Sequence, residues 1–451
     1  MKRTLGAASV GNFGELYDFA VFGFSIPFVA THFFPADTPT AALLNTFAVY
    51  AVAFFARPVG GLMFGYLLDR VGRVKVLAVT IWLMAGGTAI IGLLPTFQTI
   101  GLWAPVLLVA CRIAQGIAMG GETTGSTSFI LESAPENRRG FWVGIIYFFA
   151  NIPNAFVALM LLGLQLLVGK DTYVDWAWRL PFLLGGLIGV VGFWLRRNLD
   201  DPAEFKQAVS NADEYRPLRA FSRPGLKSML FVALLLPLQS VASYVLLGYM
   251  YTFLMKEGGL GSTAALLSNA GALAVYAVFI PIGGALSDRF GRKTILSVGA
   301  FWLAIGAYQA MAFSVSGSFF EALLGQIILA SGIGLYGSAC FVAAAELFPT
   351  AFRATGHAIA YQLTVAIFGG TAPLVGTWLV GAMATPMAPG WYVTIVAVIN
   401  LLLVQWVPET RDVSLRDSIH DRTAHRKAHD PETSSEDMFA SSCYKKVPPI
   451  L

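Results

Sequence analysis

A chain of 451 residues that is 56% hydrophobic and only 12% charged, with mean hydropathy +0.66, excludes an ordinary water-soluble enzyme, in which about one residue in four is charged. Three cysteines (Cys111, Cys340 and Cys443) are too few and too scattered for a disulfide framework or a metal centre, and no cofactor motif is present. The net charge of +4 is modest, and no nucleic-acid partner is expected from it.

Twelve apolar runs follow one another along the chain, at about 8–33, 44–68, 76–95, 102–130, 140–168, 179–196, 229–254, 263–287, 295–314, 319–345, 355–381 and 389–406. Most reach the roughly 20 residues that a helix needs to cross a hydrocarbon core of about 30 Å. Lipid admits only helices or closed barrels, and the alternation of a barrel strand is absent. The expected fold is therefore all-α and membrane-embedded, with twelve transmembrane helices. The opening "MKRTLG" lacks a small-residue cleavage site, so no removable signal peptide is expected.

The first span opens on "GNFGELYDF" and carries Glu15 and Asp18; the second carries Arg57, and the fourth Arg112 and Glu122. Polar stripes mark three more spans: Tyr147, Asn151 and Asn154 on one face of the fifth, Gln239, Ser243 and Tyr244 in the seventh, Tyr361 and Gln362 in the eleventh. Lys and Arg crowd the loops on one side of the spans, at 69–75, 138–139, 289–293 and Arg353, whereas Lys170 and Lys256 lie on the other. That bias, with an even number of spans, is expected to put both termini in the cytoplasm.

The sequence is written twice. "GYLLDRVGRVKVLAV" (Gly65–Val79) returns as "GALSDRFGRKTILSV" (Gly284–Val298), and "ESAPENRRG" from Glu132 echoes in "ELFPTAFRATG" from Glu346. The division expected is a six-helix bundle at 1–196, a charged cytoplasmic linker at 197–228, a second bundle at 229–406, and a polar tail at 407–451. Two six-span repeats enclosing a mid-membrane site are the architecture of secondary transporters.

The loop motif Gly-x-x-x-Asp-Arg-x-Gly-Arg in both halves resembles the signature of the major facilitator superfamily. More narrowly, "GNFGELYDF", "RPVGG" (Arg57–Gly61), "RIAQGIAMGGE" (Arg112–Glu122), "WAWRLPF" (Trp176–Phe182) and "AIFGGTAP" (Ala366–Pro373) resemble the metabolite:proton symporters. Members of that family carry citrate, α-ketoglutarate, shikimate, or proline and betaine. The resemblance covers about 8–406 and implies transport by alternating access rather than enzymatic catalysis. Leu16 and Tyr251 depart from the family's pattern, where a bulky aromatic and a proline are common.

Placing an ionisable group at the centre of a membrane helix costs roughly 2.5–3.5 kcal/mol on insertion scales, so such groups are rare and usually functional. Arg57 lies about 18 Å along a helix from the turn at Asp69, at mid-bilayer depth. In the register of the repeat, Arg112 falls on Gln326, Glu122 on Tyr336, Asp18 on Pro237 and Arg57 on Tyr276, so the second half lacks these charges. That asymmetry favours a functional role. A carboxylate in a low-dielectric site takes up protons more readily, and a neighbouring arginine opposes this. Asp18, Glu122 and Glu15 are the candidates for proton coupling.

Arg112 and Arg57 are expected to grip a substrate carboxylate, with Tyr147, Asn151, Gln239, Tyr244 and Tyr361 along the path. The alternative for the charges is a static network fixing the first, second and fourth spans. Asp69, Gly72 and Arg73, with Asp288, Gly291 and Arg292, are the expected cytoplasmic gate. His32 and His357, near span ends, are read as interfacial. The function expected is proton-coupled uptake of a small organic acid such as a di- or tricarboxylate or α-ketoglutarate. Its rivals are a proline/glycine betaine symporter, a drug:proton antiporter, and a non-transporting sensor.

Overall fold

The computed structural model describes residues 2–36, 38–71, 73–120, 131, 134–197, 222–348 and 353–411, which form helices and connecting turns with no strand among them. Ten helices among these residues have the length and apolarity to cross a bilayer, and shorter apolar ones at Val79–Leu93 and Trp103–Met119 complete the expected twelve. In chain order they are α1 (Lys2–Phe33), α2 (Pro39–Val71), α3 (Arg73–Leu93), α4 (Trp103–Met119), α5 (Arg139–Val168) and α6 (Leu180–Arg197). The second set is α7 (Arg223–Lys256), α8 (Ser262–Phe290), α9 (Arg292–Ser314), α10 (Phe319–Glu346), α11 (Thr355–Met383) and α12 (Ala388–Trp406).

α7 begins inside the stretch expected as linker. Ser222 caps it by accepting from the Gly225 amide, and Pro224 occupies the first turn, where its missing N–H costs nothing. The division at 197–228 otherwise stands as a proposal, since 198–221 and 412–451 lie outside the described residues. Large apolar side chains such as Phe55, Leu62, Trp82, Leu187, Trp194, Phe301 and Leu402 point outward. In water such a surface would drive aggregation; against lipid tails it costs nothing.

Small residues set how closely the helices approach. A Cβ on Gly116 would fall 2.1 Å from the Ala53 carbonyl oxygen, and one on Gly120 2.0 Å from that of Arg57, so α4 lies backbone to backbone on α2. The two bundles meet where α5 packs on α8 and α10, α2 on α11, and α1 on α7. At this junction α7 and α11 each widen into a π turn, Val245–Tyr249 and Val365–Gly369. Such turns leave backbone groups to be satisfied from elsewhere, and Asn269 Nδ2 donates to the Leu246 carbonyl at 3.2 Å.

α8 and α9 are separated by Gly291 alone, with φ 96° and ψ 153°, a region closed to residues with a Cβ. An added Cβ would also sit 2.8 Å from Glu409 Oε2. Gly291→Ala is expected to lower stability by about 1–3 kcal/mol, read as a drop in Tm in detergent.

Candidate functional site

Asp18 is 2% exposed and stands inside the first bundle, held from two neighbouring helices. Its Oδ1 accepts from Thr88 Oγ1 of α3 and, at 2.8 Å, from Gln115 Nε2 of α4. Its Oδ2 lies 3.5 Å from Arg112 Nη1. Gln115 bridges the pair, because its Oε1 accepts from the same Arg112 nitrogen at 3.0 Å. Arg112 and Gln115 are one turn apart on α4, so both project from one face.

Arg112 is completely buried, and aromatic rings replace much of its lost hydration. Its guanidinium carbon lies 4.3 Å from the Phe22 centroid, 4.8 Å from Phe19 and 5.7 Å from Tyr50. Its Nε and Nη2 have no hydrogen-bond partner among the described residues. Arg57 is 5% exposed, with its guanidinium carbon 4.3 Å from the centroids of both Phe19 and Phe54. Nη2 reaches only the Met119 sulfur, at 3.8 Å, and Nε has no partner among the described residues. Two buried guanidiniums thus face the Phe19 ring, and among the described residues one carboxylate answers them.

The second half fills the equivalent positions with neutral groups. Gln326 accepts from Asn269 Nδ2 at 2.9 Å and donates to Ser268 Oγ at 2.5 Å. The Tyr336 hydroxyl donates to the Leu235 carbonyl at 2.7 Å and also contacts the Asn400 side-chain oxygen, beside Pro237 within α7. The asymmetry in the sequence is therefore an asymmetry in the molecule.

Of the pathway residues, Tyr244 reaches the aromatic rings around the charged cluster, edge-on to Phe54 with centroids 4.8 Å apart across the bundle junction. Tyr147 stacks on Phe341 of α10 at 3.9 Å, and Tyr361 lies beside the same ring at 6.4 Å. Asn151 donates to the Tyr147 carbonyl on its own helix, and Gln239 to Ser243 Oγ at 2.7 Å and the Tyr276 hydroxyl at 3.3 Å. Gln239 Oε1 keeps no partner among the described residues. Glu122 lies outside the described residues, as does the side chain of Glu15.

Sequence reasoning missed Thr88 and Gln115, which fix the geometry of Asp18. It singled out Gln362 without giving it weight, and both polar atoms of that side chain are buried with no partner among the described residues. His357, read as interfacial, is instead buried between the Phe348 and Tyr361 rings, with neither ring nitrogen hydrogen-bonded among the described residues.

On the side where α1 begins, the bundles are joined by Asp288 at the end of α8. Its two carboxylate oxygens accept from the Gly140 and Phe141 amides, each at 2.8 Å, at the positive end of α5. Arg292 holds Asp288 at 2.6 Å and clasps Glu346 through two nitrogens, at 3.1 and 3.2 Å. Thr410 Oγ1 adds a donor to Glu346 at 2.6 Å, and Glu409 accepts from the Arg292 and Lys293 amides. An added Cβ on Gly284 would lie 2.2 Å from the Gly140 oxygen, so nothing passes between α5 and α8 here. In the first half Gly72 lies outside the described residues, as do the side chains of Asp69 and Arg73. On the opposite side, Ser262 donates to Gln165 at 2.6 Å and Phe24 meets Tyr251, so the bundles also touch there.

A paired acid and base at the centre, a loop motif repeated in the sequence and two sets of six spans agree with the comparisons to known proteins. The Major Facilitator Superfamily profile matches residues 8–275, and the Sugar (and other) transporter profile matches 194–418. The glycine betaine/proline/ectoine/pipecolic acid transporter OusA of Dickeya dadantii is 33% identical over 435 residues, which is 92% of this chain and 85% of that one. The citrate-proton symporter of Klebsiella pneumoniae is 33% identical over 428 residues, 92% of this chain and 96% of its own. Among solved structures, a D-xylose-proton symporter superposes with a TM-score of 0.70 at 22% identity, over 91% of this chain and 99% of that one, a likeness of fold. By profile, by relatives across nearly its whole length and by twelve-helix architecture, the chain belongs to the major facilitator superfamily, a family of transporters and not of enzymes.

Proposed function

We propose that the chain is a proton symporter of the bacterial inner membrane that takes up a small carboxylate-bearing solute, with both termini in the cytoplasm. The substrate read first is an organic acid such as a di- or tricarboxylate or α-ketoglutarate. The observation that carries this is the excess of buried guanidinium over carboxylate around Phe19: Arg112 is committed to Asp18, and Arg57 is left without an acid among the described residues. A guanidinium in a dry site wants an anion, and its planar fork fits a carboxylate.

Coupling follows from the pair. A proton taken by Asp18 forms an O–H bond, removes the negative charge and releases Arg112. Both guanidiniums then face the solute. Loss of the proton on the cytoplasmic side restores the Asp18–Arg112 pair and expels the anion. The Asp288 contact to α5 parts when that side opens. No cofactor is needed, and the surrounding lipid is the solvent for the outer faces.

A second reading, a zwitterion such as proline or glycine betaine, is favoured by one observation. The faces of Phe19, Phe22 and Phe54 already hold cationic groups at 4.3–4.8 Å, and the same faces suit a substrate ammonium. Relatives named for betaine and for citrate support the two readings alike. Uptake of labelled citrate, α-ketoglutarate, proline and glycine betaine into proteoliposomes, with and without an inward proton gradient, tests both. Gradient-driven uptake of a carboxylic acid supports the first reading, and uptake of the zwitterions alone supports the second. No response to the gradient overturns proton coupling.

A further inference from the structure

Asp18 borders two spaces. On one side is the bundle junction with Arg112 and the aromatic rings. On the other, a narrow crevice enters the first bundle between α1, α3 and α6, lined by Gly14, Asp18, Met84, Thr88, Gly185 and Gly189. It holds about 20 Å³ of free volume, room for roughly one water molecule and far too little for an organic solute. All three helices carry it the same way. It runs from Asp18 back to the half-buried Gly14, from Thr88 back to Ile81, and from Gly185 on to Gly192, each time towards the face that bears the Asp288 network.

Between the bundles that face is shut by the Asp288 contacts and the Gly140–Gly284 approach, so the crevice bypasses the closure. The Asp18 carboxylate is nine-tenths and more buried at its inner end, and Oδ2 accepts no hydrogen bond among the described residues. Among the described residues, the ionisable groups around it are Tyr17 on its own helix, Arg57 on α2, and Cys111 and Arg112 on α4. The residues that α3 and α6 contribute to the crevice include no ionisable side chain.

We propose that the transported proton leaves Asp18 along this crevice, inside one bundle, while the solute leaves between the bundles, so that the two cargoes part at the centre of the protein. This rests on Asp18 being the coupling carboxylate. In the step, the Asp18 O–H bond breaks, its electron pair stays on the carboxylate, and the proton bonds to a water at the inner end of the crevice.

Gly14→Leu is the test. Among the described residues a Cβ at Gly14 meets nothing nearer than Met84 Cε at 3.7 Å, so a larger side chain can start there and occupy the crevice beside it. Uphill uptake needs the proton released in every cycle, whereas solute counterflow at equal pH does not. The variant is expected to lose uphill uptake and keep counterflow. Uphill uptake at the unmodified rate overturns the route.

If both activities are lost, access decides. In protein with Cys111, Cys340 and Cys443 replaced by serine, Gly14→Cys is expected to react with a small methanethiosulfonate whether or not solute is saturating. No reaction, or protection by solute, overturns the proposal. Asp18→Asn run in parallel separates the two readings. If it still concentrates solute, the coupling assignment fails. If it does not while Gly14→Leu does, only the route fails.

Discussion

Asp18→Asn is expected to abolish accumulation against a gradient while leaving downhill movement. With membrane potential clamped, one coupled proton multiplies accumulation by about tenfold per pH unit across the membrane, since a pH unit carries about 1.4 kcal/mol. The variant's ratio of internal to external solute is expected to stay near unity at any imposed gradient. The amide has nearly the shape of the acid but takes up no proton in this range.

A purely structural role for the pair predicts something different. Neutralising Asp18 leaves Arg112 fully buried without its counter-ion, a loss of about 3–5 kcal/mol for a broken buried pair. Asp18→Asn should therefore also lower Tm. Removing both charges, as Asp18→Asn with Arg112→Gln, is expected to restore much of that stability. If the pair only pins α1 to α4, the double variant recovers uphill transport with its stability. If Asp18 carries the proton, it recovers stability alone. Tm and accumulation ratio measured on the same preparations separate the two.

The spans were legible because a bilayer fixes their length and allows only helices, so apolar run length is nearly sufficient. The start of α7 was misplaced because Arg223 and Lys227 read as linker, whereas the Ser222 cap and Pro224 begin the helix there. The charged residues were legible as a set because ionisable groups are rare in such spans. Their pairing was not. Whether Arg57 or Arg112 answers Asp18 depends on how α2 lies on α4, and that depth is set by Gly116 and Gly120 meeting backbone.

Thr88 and Gln115 were invisible for another reason. Neutral polar side chains between membrane helices are common, so their presence carries little information. Asp288 and Arg292 stood out by repetition, but Glu346, Glu409 and Thr410 reach them only through the fold. His357 was misread because a position near a span's end by count is fully buried beneath Phe348.

Arg57→Gln is expected to raise KM for the carboxylate solute strongly, with the protein still folded. A hydrogen bond to a charged partner is worth about 1.5–3 kcal/mol, which corresponds to roughly a 10- to 150-fold weaker grip. Stability should change little or rise, because the variant removes a buried charge that has no carboxylate partner among the described residues. Arg112→Gln should behave differently: it breaks an existing pair, lowers Tm and uncouples, as well as weakening binding.

Arg57→Lys sharpens the assignment. Lysine keeps the charge but lacks the planar fork and the flat face that lies 4.3 Å from both Phe19 and Phe54. A KM close to that of Arg57→Gln means that the carboxylate is gripped by two parallel bonds. A KM close to the unmodified protein's means that Arg57 acts only as a point charge on the solute's path. An unchanged KM in both variants removes Arg57 from the site and leaves Arg112, freed by protonation of Asp18, as the anion's only anchor among the described residues.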